Sequence, residues 1–168
     1  MTSKECRICH QIKPLNKFPV APTCKDGYDS VCYQCRSNQA MKRYYERRAK
    51  GLCVQCGAIA LPDGLYCLDH WFAQVARDRL GNRRMGLAKQ LKQLWLTQKK
   101  RCPYTDQELI PGQNMHLDHI KPVSHFPELQ KSFDNLQWVA SEVNRAKANL
   151  THEEFVSLCR RIVRHCSI

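Results

Sequence analysis

MHLDHIKPVSHFPELQKSFDNLQWVASEVNRAKANL, residues 115–150, is the stretch around which the rest of the chain is arranged. Its polar landmarks are Asp118-His119, Asn135, Asn144 and Lys147. Met115 to Val123 reads as extended chain, ended by Pro122. Pro127 and Asp134-Asn135 mark a loop. Leu136, Val139, Val143 and Ala146 then recur at helical spacing, which predicts a helix from residue 136 onward. A carboxylate and an imidazole thus sit side by side at a strand end, one amide arrives from the loop, and a second comes from a helix face. A hairpin clamped in this way can hold one metal ion beside one general base. His116 lies two residues before Asp118, on the same strand face, where it either supports that pair or simply packs or faces solvent.

The remaining composition narrows the class. The chain has 168 residues, with 27 Lys and Arg against 15 Asp and Glu, a net charge of +12. The basic residues are spread along the whole chain, which favours a polyanionic partner, most commonly nucleic acid. No apolar run approaches membrane-spanning length and Met1 opens no signal-peptide pattern, so the expected location is cytoplasmic. Eleven cysteines without an export signal argue against a disulfide framework. Their spacing argues for zinc.

Cys6-x2-Cys9 is followed by Cys32-x2-Cys35. Each pair is a knuckle whose two thiolates can grip one ion, and four thiolates complete a closed tetrahedral site. Between the pairs, Pro14, Phe18, Pro19, Pro22 and Asp26-Gly27 predict turns and an edge strand rather than a helix. Such a segment is too small to fold on its own core. Structural zinc in comparable modules contributes about 10–16 kcal/mol of apparent binding energy. Cys24 is a fifth sulfur that could replace one ligand, although the paired spacing favours the other four. A second set follows: Cys53-x2-Cys56 with Cys67-x2-His70, joined by a loop with Gly57, Pro62 and Gly64. His70 either completes three sulfurs with an imidazole or packs at the start of the next helix; it is read as the ligand. Cys102-Pro103-Tyr104-Thr105 has the look of a knuckle with its second cysteine replaced by Thr105. No third zinc is expected there, and Cys102 reads as a core or turn thiol.

Residues 36–51 predict a helix stopped by Gly51. Its Lys42, Arg43, Arg47 and Arg48 either form a solvated link or contact phosphates. Trp71, Phe72, Val75 and Leu80 begin another helical pattern, interrupted at Gly81-Asn82. A further helix runs from about Arg83 to Lys99, with Leu87, Leu91, Leu94 and Trp95 on its apolar face. Lys99, Lys100, Arg101 and Arg145 complete the candidate nucleic-acid contacts. Near the end, Thr151-x-x-Glu154 is a capping box. Phe155, Leu158, Cys159, Ile162, Val163 and Cys166 form a stripe expected to pack on the helix carrying Asn144, with Cys159 and Cys166 as small buried residues.

Residues 115–150 resemble the HNH nucleases, whose core is a ββα-metal fold. The match rests on Asp118-His119, on Asn135-Leu136-Gln137 and on Asn144-x-x-Lys147. The third signature position, often His in that family, is Asn144 here, similar to the Asn-type variant in the nuclease domain of RNA-guided CRISPR effectors. Arrays of small zinc modules ahead of such a core resemble those of phage-encoded HNH endonucleases. The resemblance implies a small α+β protein with two N-terminal zinc-knuckle modules, a helical linker and a C-terminal ββα-metal core packed on helices. The segments would be residues 1–50, 51–82 and 83–168. It implies His119 as general base, Asp118 and Asn144 as ligands of one catalytic magnesium or manganese ion, Asn135 orienting His119 through its side chain or by holding the loop, and Lys147 at a phosphate. Two structural zinc ions would occupy the cysteine sets. The implied activity is metal-dependent hydrolysis of DNA, double-stranded by expectation, leaving 5′-phosphate and 3′-hydroxyl ends, in a bacterial or phage-infected cell. Alternatives are a zinc-finger regulator with an inactive core, or a junction-resolving nuclease on the same core. Oligomeric state stays open.

Overall fold

The computed structural model describes residues 2–81 and 85–166. Arg83, where the third expected segment begins, lies outside the described residues, as does Asn82, where the second ends. The described chain is a small α+β protein of five helices and two two-stranded sheets. It divides into two compact units, Met1–Ala58 and Ile59–Ile168. Among the described residues no helix is long and apolar enough to cross a membrane.

In the first unit, β1 (Ser3–Glu5) and β2 (Ile12–Pro14) pair antiparallel, with Glu5 opposite Ile12. The Cys6–Cys9 turn joins them. Asx turns follow: the Asp26 carboxylate accepts the Tyr28 amide at 3.2 Å, and that of Asp29 accepts Val31 at 3.0 Å. Helix α1 (Tyr33–Ala49) contains no Gly or Pro, and Gly51 beyond it sits at φ 65°. Of α1 only Cys35 is buried. The unit's core is Cys6, Phe18, Val31, Cys32 and Cys35.

In the second unit, α2 (Leu68–Leu80) packs against α3 (Met85–Thr97). Strands β3 (Met115–His119) and β4 (Leu136–Ala140) then pair antiparallel, and α4 (Ser141–Lys147) follows directly. Trp138 is fully enclosed, its ring 5.6 Å from those of Trp71 and Phe72. Its indole N–H donates to the Leu91 carbonyl, and Gln98 clamps its backbone on both sides, accepting from its N–H and donating to its C=O at 2.8 Å each. These bonds fix the register of β4 on α3.

The helix expected from residue 136 is a correction. Residues 136–140 form β4, and the helix begins only at Ser141. Every residue of β4 is buried, so the strand lacks the alternation that betrays a half-buried one. Leu136, Val139 and Val143 imitate a helical stripe only because strand and helix are both covered.

Helix α5 (His152–Cys166) starts on the expected capping box. The Thr151 hydroxyl accepts the Glu154 amide at 3.3 Å, and the Glu154 carboxylate accepts the Thr151 amide at 2.8 Å. The expected burial of its stripe is a second correction. Phe155 is the buried residue of α5, edge-on to Tyr104, while Ile162, Val163, Cys159 and Cys166 are exposed. The helix runs on past the elements that cover its first turns.

Three turns share one backbone. The Cys6 amide donates to the Gln11 carbonyl and the His10 amide to the Cys6 carbonyl; Cys53 does the same with Ala58 and Gly57, and Cys102 with Gln107 and Asp106. The fourth residue after each cysteine is left-handed: His10 at φ 56°, Gly57 at 84° and Asp106 at 56°. The Cys102 turn is therefore built as a knuckle, as the sequence suggested, with Thr105 in place of the second thiol.

Candidate functional site

Two sites emerge from the residues upward. The first is sulfur-rich. Cys6, Cys9, Cys32 and Cys35 bring their Sγ atoms within 4.8 Å of one another, and Cys53, Cys56, Cys67 and His70 do the same with three sulfurs and one ring nitrogen. Both groups can hold structural zinc. Cys24 belongs to neither and is exposed. The second pair of each set sits at a helix start: Cys32 is the residue before α1 with Cys35 in its first turn, and Cys67 precedes α2 with His70 in its first turn. Backbone N–H groups at helix starts favour thiolate over thiol. The Cys32 amide donates to Cys6 Sγ at 3.4 Å, and with amides of Cys9 and Ile8 it pulls the Cys6 thiol down to about 5. Cys32 is lowered as well, first by the Cys35 amide, with Lys13 Nζ 3.5 Å from its sulfur. Burial, then the neighbouring sulfurs, push Cys35 up to about 12. Two thiolates are favoured while burial and the neighbouring sulfurs oppose a third, which is the electrostatic pattern a divalent cation relieves.

The second site lies on β3 and α4. Strand alternation puts His116 and Asp118 on one face. Helix α4 lies along that face, so that Asn144 meets His116 and, one turn on, Lys147 meets Asp118. Asn144 Nδ2 is 3.3 Å from His116 Nδ1. Taken as amide donating to ring nitrogen, this turns the Asn144 carbonyl oxygen away from the imidazole. Burial, then the charges of Arg79 and Arg145, hold His116 below the usual histidine range, in keeping with an acceptor ring nitrogen. His116 is thus a support for Asn144.

Asp118 is nearly enclosed. One oxygen accepts from Gln137 Nε2 at 2.9 Å and lies 3.2 Å from Lys147 Nζ. Lys147 is fully buried and also donates to the His119 carbonyl at 2.8 Å. Expected at a phosphate, it is instead the counter-ion of Asp118. Removing one partner of a buried pair costs about 3–5 kcal/mol because the other charge is left uncompensated. Lys147→Met should therefore lower the stability of the second unit by about that amount. All three tryptophans lie in this unit, so their fluorescence in a denaturant titration measures it directly. An unchanged midpoint would show that the pair contributes nothing.

His119 faces the loop between the strands. Its Nε2 is 3.0 Å from the Gln130 carbonyl. A carbonyl can only accept, so Nε2 carries the proton and Nδ1 of the neutral ring is the basic nitrogen. Asn135 is buried and does not touch this imidazole through any bond described. It closes the loop instead: its carbonyl accepts the Lys121 amide at 2.8 Å, its amide donates to the Lys121 carbonyl at 3.0 Å, and its own backbone oxygen accepts from Ile120. Of the two roles expected for Asn135, holding the loop is the one this geometry serves.

The candidate phosphate contacts divide. Lys42, Arg43, Arg48, Lys99, Lys100 and Arg145 are exposed. Arg47 is not available in the same way: its guanidinium donates to the Val54 and Gln55 carbonyls, tying α1 to the Cys53 turn. Arg101 is engaged with Asp106. Lys42 is paired too, with Glu46 at 3.9 Å, and charge alone could not separate the engaged cations from the rest.

Sequence reasoning quoted Gln137 in the matched motif and Tyr104 in the Cys102 turn but gave neither a role. Gln137 stands opposite Asp118 in the strand register and reaches Tyr104 Oη at 3.2 Å. Tyr104 Oη is 3.2 Å from His152 Nδ1. Burial pushes the Tyr104 phenol up, partly offset by the Gln137 bond, so it stays protonated. Only the strand assignment for 136–140 could have brought Gln137 to Asp118. No family model matches the chain, and no curated protein matches it.

Proposed function

We propose that the chain is an HNH-type endonuclease that hydrolyses DNA phosphodiesters. The observation that carries the reading is the order of contacts on one small frame: two antiparallel strands, a helix laid on the face bearing Asp118, and His119 turned to the loop on a backbone carbonyl. His119 Nδ1 takes the proton of the attacking water, and the Gln130 carbonyl keeps the ring from rotating. Asn135 holds the loop that supplies this carbonyl. Asp118 and Asn144 offer oxygen donors, a set suited to magnesium or manganese rather than to zinc. Such an ion would stabilise charge on the phosphate and on the leaving 3′ oxygen. Lys147 pairs with the Asp118 carboxylate within the fold. Exposed Lys42, Arg43 and Arg48 on α1, and separately Lys99, Lys100 and Arg145, are the positions at which duplex phosphates would be neutralised. The two sulfur-rich groups keep zinc in a structural role.

The test is cleavage of supercoiled plasmid. Dialysis against a chelator should abolish cutting, and added magnesium or manganese should restore it while added zinc does not. Asn144→His should move the preference toward nickel or zinc. Full activity with zinc alone in the natural sequence would remove Asn144 as the ligand and make His116, which stands against it, the next candidate.

A further inference from the structure

We propose that Gln137 and Tyr104 are positioning residues that hold the Asp118 carboxylate in the orientation a divalent cation requires. The proposal rests on the reading of Asp118 as a metal ligand.

Asp118 and Gln137 are direct partners across the β3–β4 ladder, so their side chains leave the sheet on the same face. Two donors compete for the carboxylate. Lys147 approaches from α4, 3.2 Å from Oδ2 and 3.5 Å from Oδ1. Gln137 approaches along the sheet with a 2.9 Å bond to Oδ2. A flexible ammonium carries no directional preference, whereas an amide N–H fixes the plane it donates into. Without Gln137, Lys147 is the side chain left bonded to this carboxylate among the described residues, and it draws the carboxylate into a closed pair.

Gln137 is itself fixed. Its Nε2 carries two hydrogens, one for Asp118 and the other for Tyr104 Oη at 3.2 Å. With its lone pairs receiving that hydrogen, the Tyr104 hydroxyl is left to donate its own to His152 Nδ1. The Tyr104 ring is wedged edge-on to Phe155, 5.4 Å between centroids, and against the His152 ring at 5.3 Å. Its backbone belongs to the Cys102 turn, which is hydrogen-bonded as a knuckle. That turn keeps its Cys102 thiol below the usual range despite burial, through the Thr105 hydroxyl and the amides of Ala140, Tyr104 and Thr105, so it is anchored to the end of β4. A rigid turn therefore places one phenol, the phenol aims one amide, and the amide sets one carboxylate. Hydrogen-bond partners of a ligating carboxylate typically change metal affinity by about 10–100-fold when removed.

The experiment is a manganese titration of the zinc-loaded full-length protein, followed by the loss of the free-ion signal in electron paramagnetic resonance. It compares the natural chain with Asp118→Asn, Gln137→Leu and Tyr104→Phe. Asp118→Asn should lose the site. Gln137→Leu should raise the manganese Kd by about 10–100-fold, and Tyr104→Phe, which removes one oxygen, by a smaller factor of up to about 10. Plasmid cutting by both positioning variants should return to within a few-fold of natural at saturating manganese, a split between affinity and turnover that a damaged fold would not give. If Asp118→Asn loses manganese while Gln137→Leu and Tyr104→Phe bind it as the natural chain does, the positioning role is wrong and the reading of Asp118 stands. If Asp118→Asn binds manganese normally, that reading fails and the positioning role with it. Should Gln137→Leu fail to fold by tryptophan fluorescence, Tyr104→Phe decides, and an unchanged Kd in it overturns the proposal.

Discussion

Cys6→Ser should reduce bound zinc from two ions per chain to one and unfold the segment from residue 2 to about residue 50. The first unit has little else to hold it. Its enclosed side chains, apart from Cys6, Cys32, Cys35 and Cys53, are Phe18 and Val31. Burying each of these contributes about 1.5–3 kcal/mol. Zinc in comparable small modules binds with an apparent energy of about 10–16 kcal/mol, more than these two side chains supply together. Serine keeps the size of the side chain but replaces a sulfur that three backbone amides hold as thiolate. Zinc content by mass spectrometry of the native protein and amide exchange resolved along the chain are the measurements. Amides of α1's first turns should lose protection, while those of β4 keep it. Two ions retained per chain, with unchanged protection, would remove Cys6 from the ligand set.

His119→Ala should slow plasmid cutting by about 10²–10⁴-fold, the range over which a positioned general base acts, or about 3–5 kcal/mol of barrier at 1.36 kcal/mol per decade. Duplex affinity should be nearly unchanged, because the imidazole faces the loop and its Nε2 is bonded to the Gln130 carbonyl. The second unit should also keep its denaturation midpoint within about 1 kcal/mol, since the bond lost is partly exposed. Cutting at natural speed would dismiss His119 as the base. Loss of cutting together with loss of binding would mean that the residue serves the DNA surface rather than the chemistry.

Much of this molecule could be read from its residues. Paired cysteines two residues apart specify a turn and its ligands at once, which is why Cys6, Cys9, Cys32, Cys35, Cys53, Cys56, Cys67 and His70 come together as the spacing requires. The capping box at Thr151 is equally local, and both of its bonds form. What escaped was non-local. A strand buried on both faces, Leu136–Ala140, carries no period of its own and borrows that of the helix behind it. Gln137 acquires meaning only once the register sets it against Asp118. Lys147 reads as a surface base in the sequence, but is drawn inside by a carboxylate from an element 29 residues away. The stripe on α5 was legible, whereas the extent to which anything covers it depends on where the other elements stop.

The Cys102 turn bears on what the ion does elsewhere. It adopts the same two backbone bonds and the same left-handed fourth residue as the Cys6 and Cys53 turns, yet has one thiol where they have two. Sulfur pairs are therefore not needed to bend the chain locally. A zinc ion in the first group would contribute by fastening that turn to the start of α1, a separation of 26 residues between Cys6 and Cys32. In polymer terms it closes a loop. Closure entropy grows as (3/2)RT ln n, so each doubling of the separation adds only about 0.6 kcal/mol. The chain between Pro14 and Val31 could accordingly be lengthened by several residues at its exposed Cys24–Lys25 tip with little loss of zinc affinity. Altering the two-residue gap inside either cysteine pair, which sets the grip itself, would not be tolerated.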